Sequence, residues 1–114
     1  MTDQVEEFNK YRERMNDKIL AHDSQTIRRF FNLDTAAYRD GVLDTRTKEM
    51  LGLVASTVLR CDDCIRYHLQ RCSEEGVRRE EFFEILSIAL VVGGSIVIPH
   101  FRRAVEFLDE LKVT

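Results

Sequence analysis

Apolar residues recur along this chain at intervals of three and four positions, which is the period of an α-helix and not that of a strand. The first example lies near the start, where Val5, Phe8, Met15 and Ile19 form one stripe and charged residues occupy the other faces. The chain holds one proline and five glycines, so it is poor in the residues that punctuate β-hairpins. The pattern predicts an all-α fold, a single compact domain of six or seven helices over residues 1–114.

Polar caps and glycines set the expected helix boundaries. The first half of the chain should hold a helix from about Gln4 to Ala21, a short second helix capped by Asp23 or Ser24, a shorter third helix capped by Asp34 or Thr35 that ends at Gly41, and a fourth helix after Asp44 and Thr45. The second half should hold helices from Cys61 or Asp62 to Gly76, from about Glu80 to Val92, and from about Ser95 to Leu111.

Two of these helices have features that constrain their packing. The helix after Asp44 has a wide apolar face, which includes Leu51 and Leu59 and is typical of a buried helix. Pro99 is tolerated in the last helix only if it lies within the first turn.

The composition excludes several classes of protein. With 114 residues, 44% of them apolar, the chain is long enough for roughly one core, which excludes a two-domain enzyme with its own large cofactor module. Basic side chains number 17 and acidic ones 20, so the net charge is −3, and the sequence contains no basic run. Nucleic acid and anionic lipid are therefore not expected as partners.

Neither export nor membrane insertion is expected. Residues Met1 to Glu7 lack the positively charged start and the apolar stretch of a secretory signal. The longest uncharged stretch, Ile85 to Pro99, is shorter than the roughly 20 residues that span a bilayer, and Gly93 and Gly94 interrupt it. This stretch is better interpreted as buried protein, in the core or at a subunit contact.

The three cysteines do not fit a secreted disulfide framework, because their number is odd and Cys61 and Cys64 lie close together. The expected location is the reducing cytoplasm. In that compartment a Cys-x-x-Cys pair is more often catalytic or metal-binding than a permanent cross-link, so the two chemistries must be separated.

Cys61, Cys64 and His68 are spaced by three and four residues, so on one helix they share a stripe. Cys72 extends the stripe, but it lies about 16 Å beyond Cys61 on a helix that rises roughly 1.5 Å per residue. The ligands of tetrahedral zinc lie within about 4 Å of one another, so one helix cannot supply all four. A three-ligand site completed by Glu49 or by another subunit stays open, and Cys72 is interpreted as an inert packed thiol.

Redox chemistry needs two neighbouring thiols, a base that makes the thiolate, and a route for the proton. Cys61 and Cys64 lie one turn apart at a helix start, where the dipole favours a thiolate. His68 lies one turn beyond Cys64 and can take its proton. For Glu49, on the preceding helix, spacing leaves two interpretations: an exposed first-turn glutamate, or a side chain that orients His68 directly or through water and stabilises the imidazolium.

A set of features follows in order between about Leu43 and Arg103, about half of the chain. The set consists of Glu49, Cys61-x-x-Cys64-x-x-x-His68, Gly76, the acidic pair Glu80-Glu81, and Gly93-Gly94. It resembles the alkylhydroperoxidase D-like group of the carboxymuconolactone decarboxylase superfamily. This pattern of a glutamate, two cysteines and a histidine is far more specific than a bare Cys-x-x-Cys.

The resemblance implies an all-helical fold that assembles into trimers or hexamers, with a thiol site that reduces a hydroperoxide or exchanges disulfides with a protein. A dithiol or a reductase partner would supply the reducing equivalents. By position, Cys64 resembles the cysteine that becomes a sulfenic acid, and Cys61 the proton donor that then closes the disulfide. His68 and Glu49 would form the proton relay. The resemblance implies neither a metal nor an organic cofactor.

Three further features concern the order of the two thiols, their acidity and the extent of the site. The helix dipole alone favours Cys61 as the more acidic thiol, whereas the neighbouring base favours Cys64, and we follow the base and the resemblance. Asp62 and Asp63 add negative charge beside the thiols, which should raise their pKa values and make turnover with a generic peroxide weak. His100 could face the same pocket, but it is interpreted as a surface or core histidine outside the site.

Two other functions stay open. A decarboxylase-like activity on a small lactone acid follows only from superfamily membership, and it is disfavoured because the superfamily's decarboxylases lack the cysteine pair. A non-enzymatic redox-sensing oligomer would instead use a Cys61–Cys64 disulfide to change its assembly. The apolar stripe from Ile85 to Val92 favours a homo-oligomer in either case, so assembly alone does not discriminate.

Overall fold

A computed structural model describes residues 3–114 of the chain. In that part the chain forms six α-helices and one short 3₁₀ turn, and no strand. The helices are α1 (Gln4–Ala21), α2 (Gln25–Ala37), α3 (Thr45–Val58), α4 (Asp62–Glu74), α5 (Arg79–Gly93) and α6 (Ile98–Leu111), and the 3₁₀ turn Ser95–Val97 precedes α6. The all-α fold of six or seven helices is confirmed. Met1 and Thr2, on which the export prediction partly rested, lie outside the described residues.

The chain divides into two compact units, one ending at Arg39 and the other covering Asp40–Thr114. The first unit holds α1 and α2, and the second holds α3 to α6 with every residue of the predicted site. The organisation of residues 1–114 as one domain stays a prediction.

Side-chain caps fix the helix starts that the sequence indicated. The Oγ of Ser24 accepts a hydrogen bond from the Ile27 backbone N–H at 3.3 Å, and the Oδ1 of Asp44 accepts one from the Thr47 N–H at 2.8 Å. Each cap satisfies a backbone donor that has no partner within the first helical turn. The predicted starts of α2 and α3 are therefore confirmed.

The predicted third helix is wrong, because α2 continues through Asp34 and Thr35 to Ala37. The Thr35 hydroxyl donates to the Phe31 carbonyl at 3.1 Å, one turn back inside the same helix. A threonine can satisfy its hydroxyl in this way within a helix, so its presence does not require a helix start. Neither proline nor glycine lies between Gln25 and Ala37, and nothing there interrupts the backbone ladder.

The core of the second unit lies where α3 packs against α4 and α5, and α4 against α6. Its largest fully buried apolar side chains are Leu53, Ile65, Leu69, Phe82, Leu86, Phe107 and Leu108. The buried residues of α3 are Glu49, Gly52, Leu53, Ser56 and Thr57.

The wide apolar face predicted for α3 is only partly buried, since Leu51 is 56% and Leu59 76% exposed. Besides Leu53, the buried face contains small and polar residues. The Thr57 hydroxyl on this face is satisfied by donating to the Leu53 carbonyl at 2.7 Å. Apolar periodicity alone therefore identified Leu53 correctly, but it did not identify the buried polar residues or the exposure of Leu51 and Leu59.

Glycines end the two helices that carry or support the site. Gly76, with φ +85°, follows α4 in the left-handed conformation that the sequence predicted. Gly93, the last residue of α5, lies against the Val97 side chain. A Cβ at this position would lie 2.5 Å from the Val97 Cγ2, so the packing requires glycine. The chain then turns through the 3₁₀ segment, so α6 begins at Ile98, later than the predicted start at Ser95. Pro99 lies in the first turn of α6, as required.

Each helix within residues 3–114 is too short or too polar to span a lipid bilayer.

Candidate functional site

The start of α4 carries the two cysteines of the motif. Cys61 is the N-cap residue, and its Sγ accepts a hydrogen bond from the Cys64 backbone N–H at 3.3 Å. The two Cα atoms lie 5.3 Å apart, and the two sulfurs form a disulfide. Cys64 is exposed, whereas Cys61 is half-buried. When the disulfide is reduced, the partial positive charge of the helix N-terminus stabilises a thiolate at this position.

His68 and Glu49 form a buried pair between α4 and α3. The His68 Nδ1 lies 2.7 Å from the Glu49 Oε1, and the two residues are 7% and 1% exposed. An ionised carboxylate can only accept hydrogen bonds, so a hydrogen bond in this contact requires the proton on Nδ1. Of the two sequence interpretations of Glu49, the structure supports the direct contact with His68 and excludes an exposed side chain.

Arg71 gives the same carboxylate a second partner. Its Nε lies 3.5 Å from the Glu49 Oε2, one turn beyond His68 on α4. The guanidinium also contacts Glu74 at 2.8 Å and Glu75 at 3.6 Å, so its charge is shared among three carboxylates. Glu49 is thus a buried acid with a histidine on one oxygen and an arginine on the other, and this pairing offsets the cost of burying its charge. The sequence analysis did not assign Arg71 to the site.

Cys72 lies on α4 but belongs to the core. It is 0% exposed, and burial, reinforced by the negative charge of Glu49, raises the pKa of its thiol to about 12. A thiol with such a pKa is almost entirely protonated near neutral pH, and the thiol form is a poor nucleophile. The structure thus agrees with the interpretation of Cys72 as a packed, unreactive side chain.

A second carboxylate–histidine pair lies at the first turn of α4. The Asp62 Oδ1 lies 2.8 Å from the His100 Nδ1, and its Oδ2 accepts a hydrogen bond from the Arg103 Nε at 2.9 Å. Partial burial raises the pKa of Asp62, but the bond from His100 and the positive charge of Arg103 outweigh it and hold the pKa below its usual value. The sequence analysis left His100 and Arg103 outside the site. Their spacing of three on α6 shows a shared face, but nothing in the sequence joins that face to Asp62.

The contacts of Asp62 alter the net charge expected beside the two cysteines. Asp62 is not an isolated negative charge, because two side chains of α6 hold it. Asp63 is more exposed and lies 3.5 Å from the Arg66 guanidinium. The expected rise in the thiol pKa values must therefore be weighed against two nearby arginines.

The sequence left open a metal site, and the described residues of one chain form no such site. Among residues 3–114, no group of three or more His, Cys, Asp or Glu side chains is arranged to hold a metal ion. The His68 Nδ1 faces Glu49, and the two cysteine sulfurs are bonded to each other. These four side chains are thus arranged as a disulfide and a carboxylate–imidazole pair.

Comparisons with known proteins agree with this arrangement of helices. Residues 25–107 match the model of the carboxymuconolactone decarboxylase family, and the chain therefore belongs to that family. A Thermotoga maritima protein is 64% identical, with 93% of each chain covered and a TM-score of 0.90. A second crystal structure from that organism, 63% identical with a TM-score of 0.89, covers 93% of this chain and 90% of its own, and its description suggests an antioxidative role.

Two relatives match at lower identity, one by structure and one by sequence. A Legionella pneumophila protein described as a member of the same family is 28% identical, covers 96% of this chain and 97% of its own, and gives a TM-score of 0.85. An uncharacterised protein of the cox locus in Paracoccus denitrificans is 29% identical over 72% of this chain and 74% of its own length. The helical arrangement is thus maintained even where most side chains differ.

Proposed function

We propose that this chain is a thiol oxidoreductase of the alkylhydroperoxidase D type, which reduces a hydroperoxide or a protein disulfide with the Cys61–Cys64 pair. The observation that carries the proposal is the bridged cysteine pair at the start of α4, with His68 one turn further along the same helix and paired with the buried Glu49 of α3. The family membership and the suggested antioxidative role of the Thermotoga maritima relative support it.

In the first step, His68 takes the proton of the Cys64 thiol, and Glu49 stabilises the resulting imidazolium. The Cys64 thiolate attacks the terminal oxygen of the hydroperoxide, and the O–O bond breaks as the S–O bond forms. The products are a Cys64 sulfenic acid and an alkoxide, which takes the proton from His68 and leaves as an alcohol. The exposure of Cys64 suits it to this encounter.

In the second step, the Cys61 sulfur attacks the Cys64 sulfur, and its proton leaves with the hydroxyl group as water. The resulting disulfide holds the two oxidising equivalents that came from the hydroperoxide. An external dithiol restores both thiols and is itself oxidised to a disulfide. With a protein disulfide as substrate, Cys64 attacks one of its sulfurs directly, and Cys61 resolves the mixed disulfide.

Thiol titration with intact mass, before and after one equivalent of cumene hydroperoxide, tests this order of events. The reduced wild type should lose two thiols and about two mass units. Cys61→Ser should gain about 16 mass units as a trapped sulfenic acid, and Cys64→Ser should not react. The matched control is Cys72→Ser, which should behave as the wild type.

Peroxide chemistry is refuted if the wild type stays fully reduced. Disulfide exchange is then tested with an oxidised dithiol protein as the substrate. Turnover with excess dithiol and peroxide separates the catalyst from the redox sensor, because a sensor would react once and change its elution volume in gel filtration. Activity on a lactone acid that survives Cys64→Ser would favour the decarboxylase-like alternative.

The chain is also proposed to act as a homo-oligomer, a trimer or hexamer, in the cytoplasm. The inner face of α5 packs into the core through Ile85 and Ala89. On its other face, Ile88 is 56%, Val91 84% and Val92 68% exposed. Contiguous apolar surface of this kind marks contacts between chains, and light scattering of the reduced protein would give the number of subunits.

A further inference from the structure

The first turn of α4 is attached to α6 through one carboxylate. Asp62 directly follows Cys61, and both of its oxygens are bonded to α6, at 2.8 Å to His100 and at 2.9 Å to Arg103. The three side chains are partly shielded from solvent, with exposures of 32% for Asp62, 16% for His100 and 45% for Arg103. A bond held at both oxygens fixes the carboxylate in direction as well as in place.

The geometry points to a role for His100 and Arg103 as positioning residues for the proposed thiol chemistry: they hold the Asp62 carboxylate on α6 and thereby control how readily the Cys61–Cys64 pair forms a thiolate. This inference rests on the proposed function only for its relevance to turnover. The thiolate itself can be measured without any peroxide.

The two α6 residues affect thiolate formation because they offset the negative charge of Asp62, which directly follows Cys61 in the chain. An unpaired carboxylate next to Cys61 would raise the thiol pKa, because it disfavours a second negative charge nearby. Bonded to a guanidinium and an imidazole, the same carboxylate presents little net charge. If Arg103 is lost, the Asp62 carboxylate keeps only its contact with His100, and the guanidinium charge no longer offsets its own.

Other charged groups on α3 and α4 also affect the thiol pKa values, and substitutions on α6 leave these groups unchanged. They are Glu49 on α3 and Asp63, Arg66, His68 and Arg71 on α4. Each has its own partner within α3 and α4, so the contacts from α6 can be removed separately.

The experiment measures the rate of alkylation of the reduced protein by iodoacetamide from pH 5 to pH 10, with intact mass to count the modified thiols. The midpoint of the rate curve reports thiolate formation. Asp62→Asn should lower the midpoint. Arg103→Gln should raise it by about half a pH unit, the scale of one partly screened charge.

The double variant decides between positioning and a direct charge effect. In the Asp62→Asn background, Arg103→Gln leaves no carboxylate charge without its partner, so its upward shift should be less than half of the shift in the wild-type background. Equal shifts in the two backgrounds would overturn the proposal, because Arg103 would then act on the thiols as a simple charge.

Three further variants control for charge and for the hydrogen-bond donor on α6. Arg102 is an exposed neighbour on α6 that makes no ion pair within the described part of the chain, so Arg102→Gln removes the same charge and should shift the midpoint by less than Arg103→Gln. His100→Ala should raise the midpoint, and His100→Asn, which keeps an N–H donor, should restore it. A shift from Arg102→Gln as large as that from Arg103→Gln would contradict the assignment.

Failure of this inference and failure of the proposed function are distinguishable. Midpoints that shift as expected in a protein that reduces neither a peroxide nor a protein disulfide would refute the function and leave the positioning role intact. Midpoints that do not move in an active peroxidase would refute the positioning role alone.

Discussion

Two carboxylate–histidine pairs flank the cysteines, and their geometry is nearly the same. The Glu49–His68 contact measures 2.7 Å and the Asp62–His100 contact 2.8 Å, and in each a nearby arginine approaches the second oxygen. Their environments differ, because Glu49 is 1% exposed whereas the Asp62 side chain is 32% exposed. The contact distance alone therefore does not predict function. The burial of each pair determines how much it contributes to stability and whether it suits proton transfer.

Burial makes the inner pair suited to proton transfer. In a medium of low polarity the attraction between carboxylate and imidazolium is strong, so Glu49 can stabilise a proton on His68. The outer pair is screened by water, and its contribution is to hold and offset one charge. The predictions below test this contrast.

The largest difference should be in stability. Glu49→Ala leaves the buried His68 without its carboxylate partner and removes one of the three carboxylates that contact Arg71, and it should lower the free energy of unfolding by about 3 kcal/mol. Asp62→Ala should cost about 1 kcal/mol or less, because its pair is partly exposed. Urea unfolding of the reduced variants measures both. Glu49→Gln keeps the shape and serves as the control, and equal losses for Glu49→Ala and Asp62→Ala would contradict the contrast.

The two histidines should differ in their effect on the reaction rate. His68→Ala removes the proposed base and should slow the first oxidation of Cys64 by about 100-fold or more at pH 7. His100→Ala should slow it only a few-fold, because this residue acts through Asp62. Single-turnover oxidation with cumene hydroperoxide measures both rates. If the two variants are equally slow, His68 is not the specific base.

The outer pair should also respond to acid. Since the pKa of Asp62 is lowered in the folded protein, its stabilising effect is present above the pKa of an unfolded aspartate, about 3.9. The effect is lost as pH falls through the lower folded pKa. Asp62→Asn should therefore be less stable than the wild type at pH 7, and the difference should shrink below about pH 4. Urea unfolding from pH 3 to pH 7 tests this, and a constant difference would show that the Asp62 charge is not involved.

The smallest effect should come from the deepest cysteine. With a pKa of about 12, only about one Cys72 thiol in ten thousand is ionised at pH 8, so iodoacetamide should modify Cys61 and Cys64 in the folded reduced protein and leave Cys72 unmodified. In urea all three should react. Modification of Cys72 at the rate of Cys64 in the folded state would show that burial does not protect it.

The sequence predicted the elements of the second unit well. Apolar spacing, the Asp44 cap, Gly76 and the Gly93-Gly94 pair gave the helices that carry the site, because these signals act within a few residues. It was less successful where two local signals competed. Thr35 was interpreted as a cap, but its hydroxyl is satisfied inside α2, and the choice between these states depends on the whole helix.

Cys61, Cys64 and His68 belong together by sequence alone, because one helix sets their spacing within a few residues. The burial of Glu49 and its contact with His68 were decided by the packing of α3 on α4, which left Leu51 exposed and turned a charged side chain inward. The attachment of Asp62 to His100 and Arg103 spans about 40 residues of chain and two helices. Periodicity reports which face a residue occupies within its own helix, but contacts between helices depend on how those faces pack, and only the tertiary structure determines that.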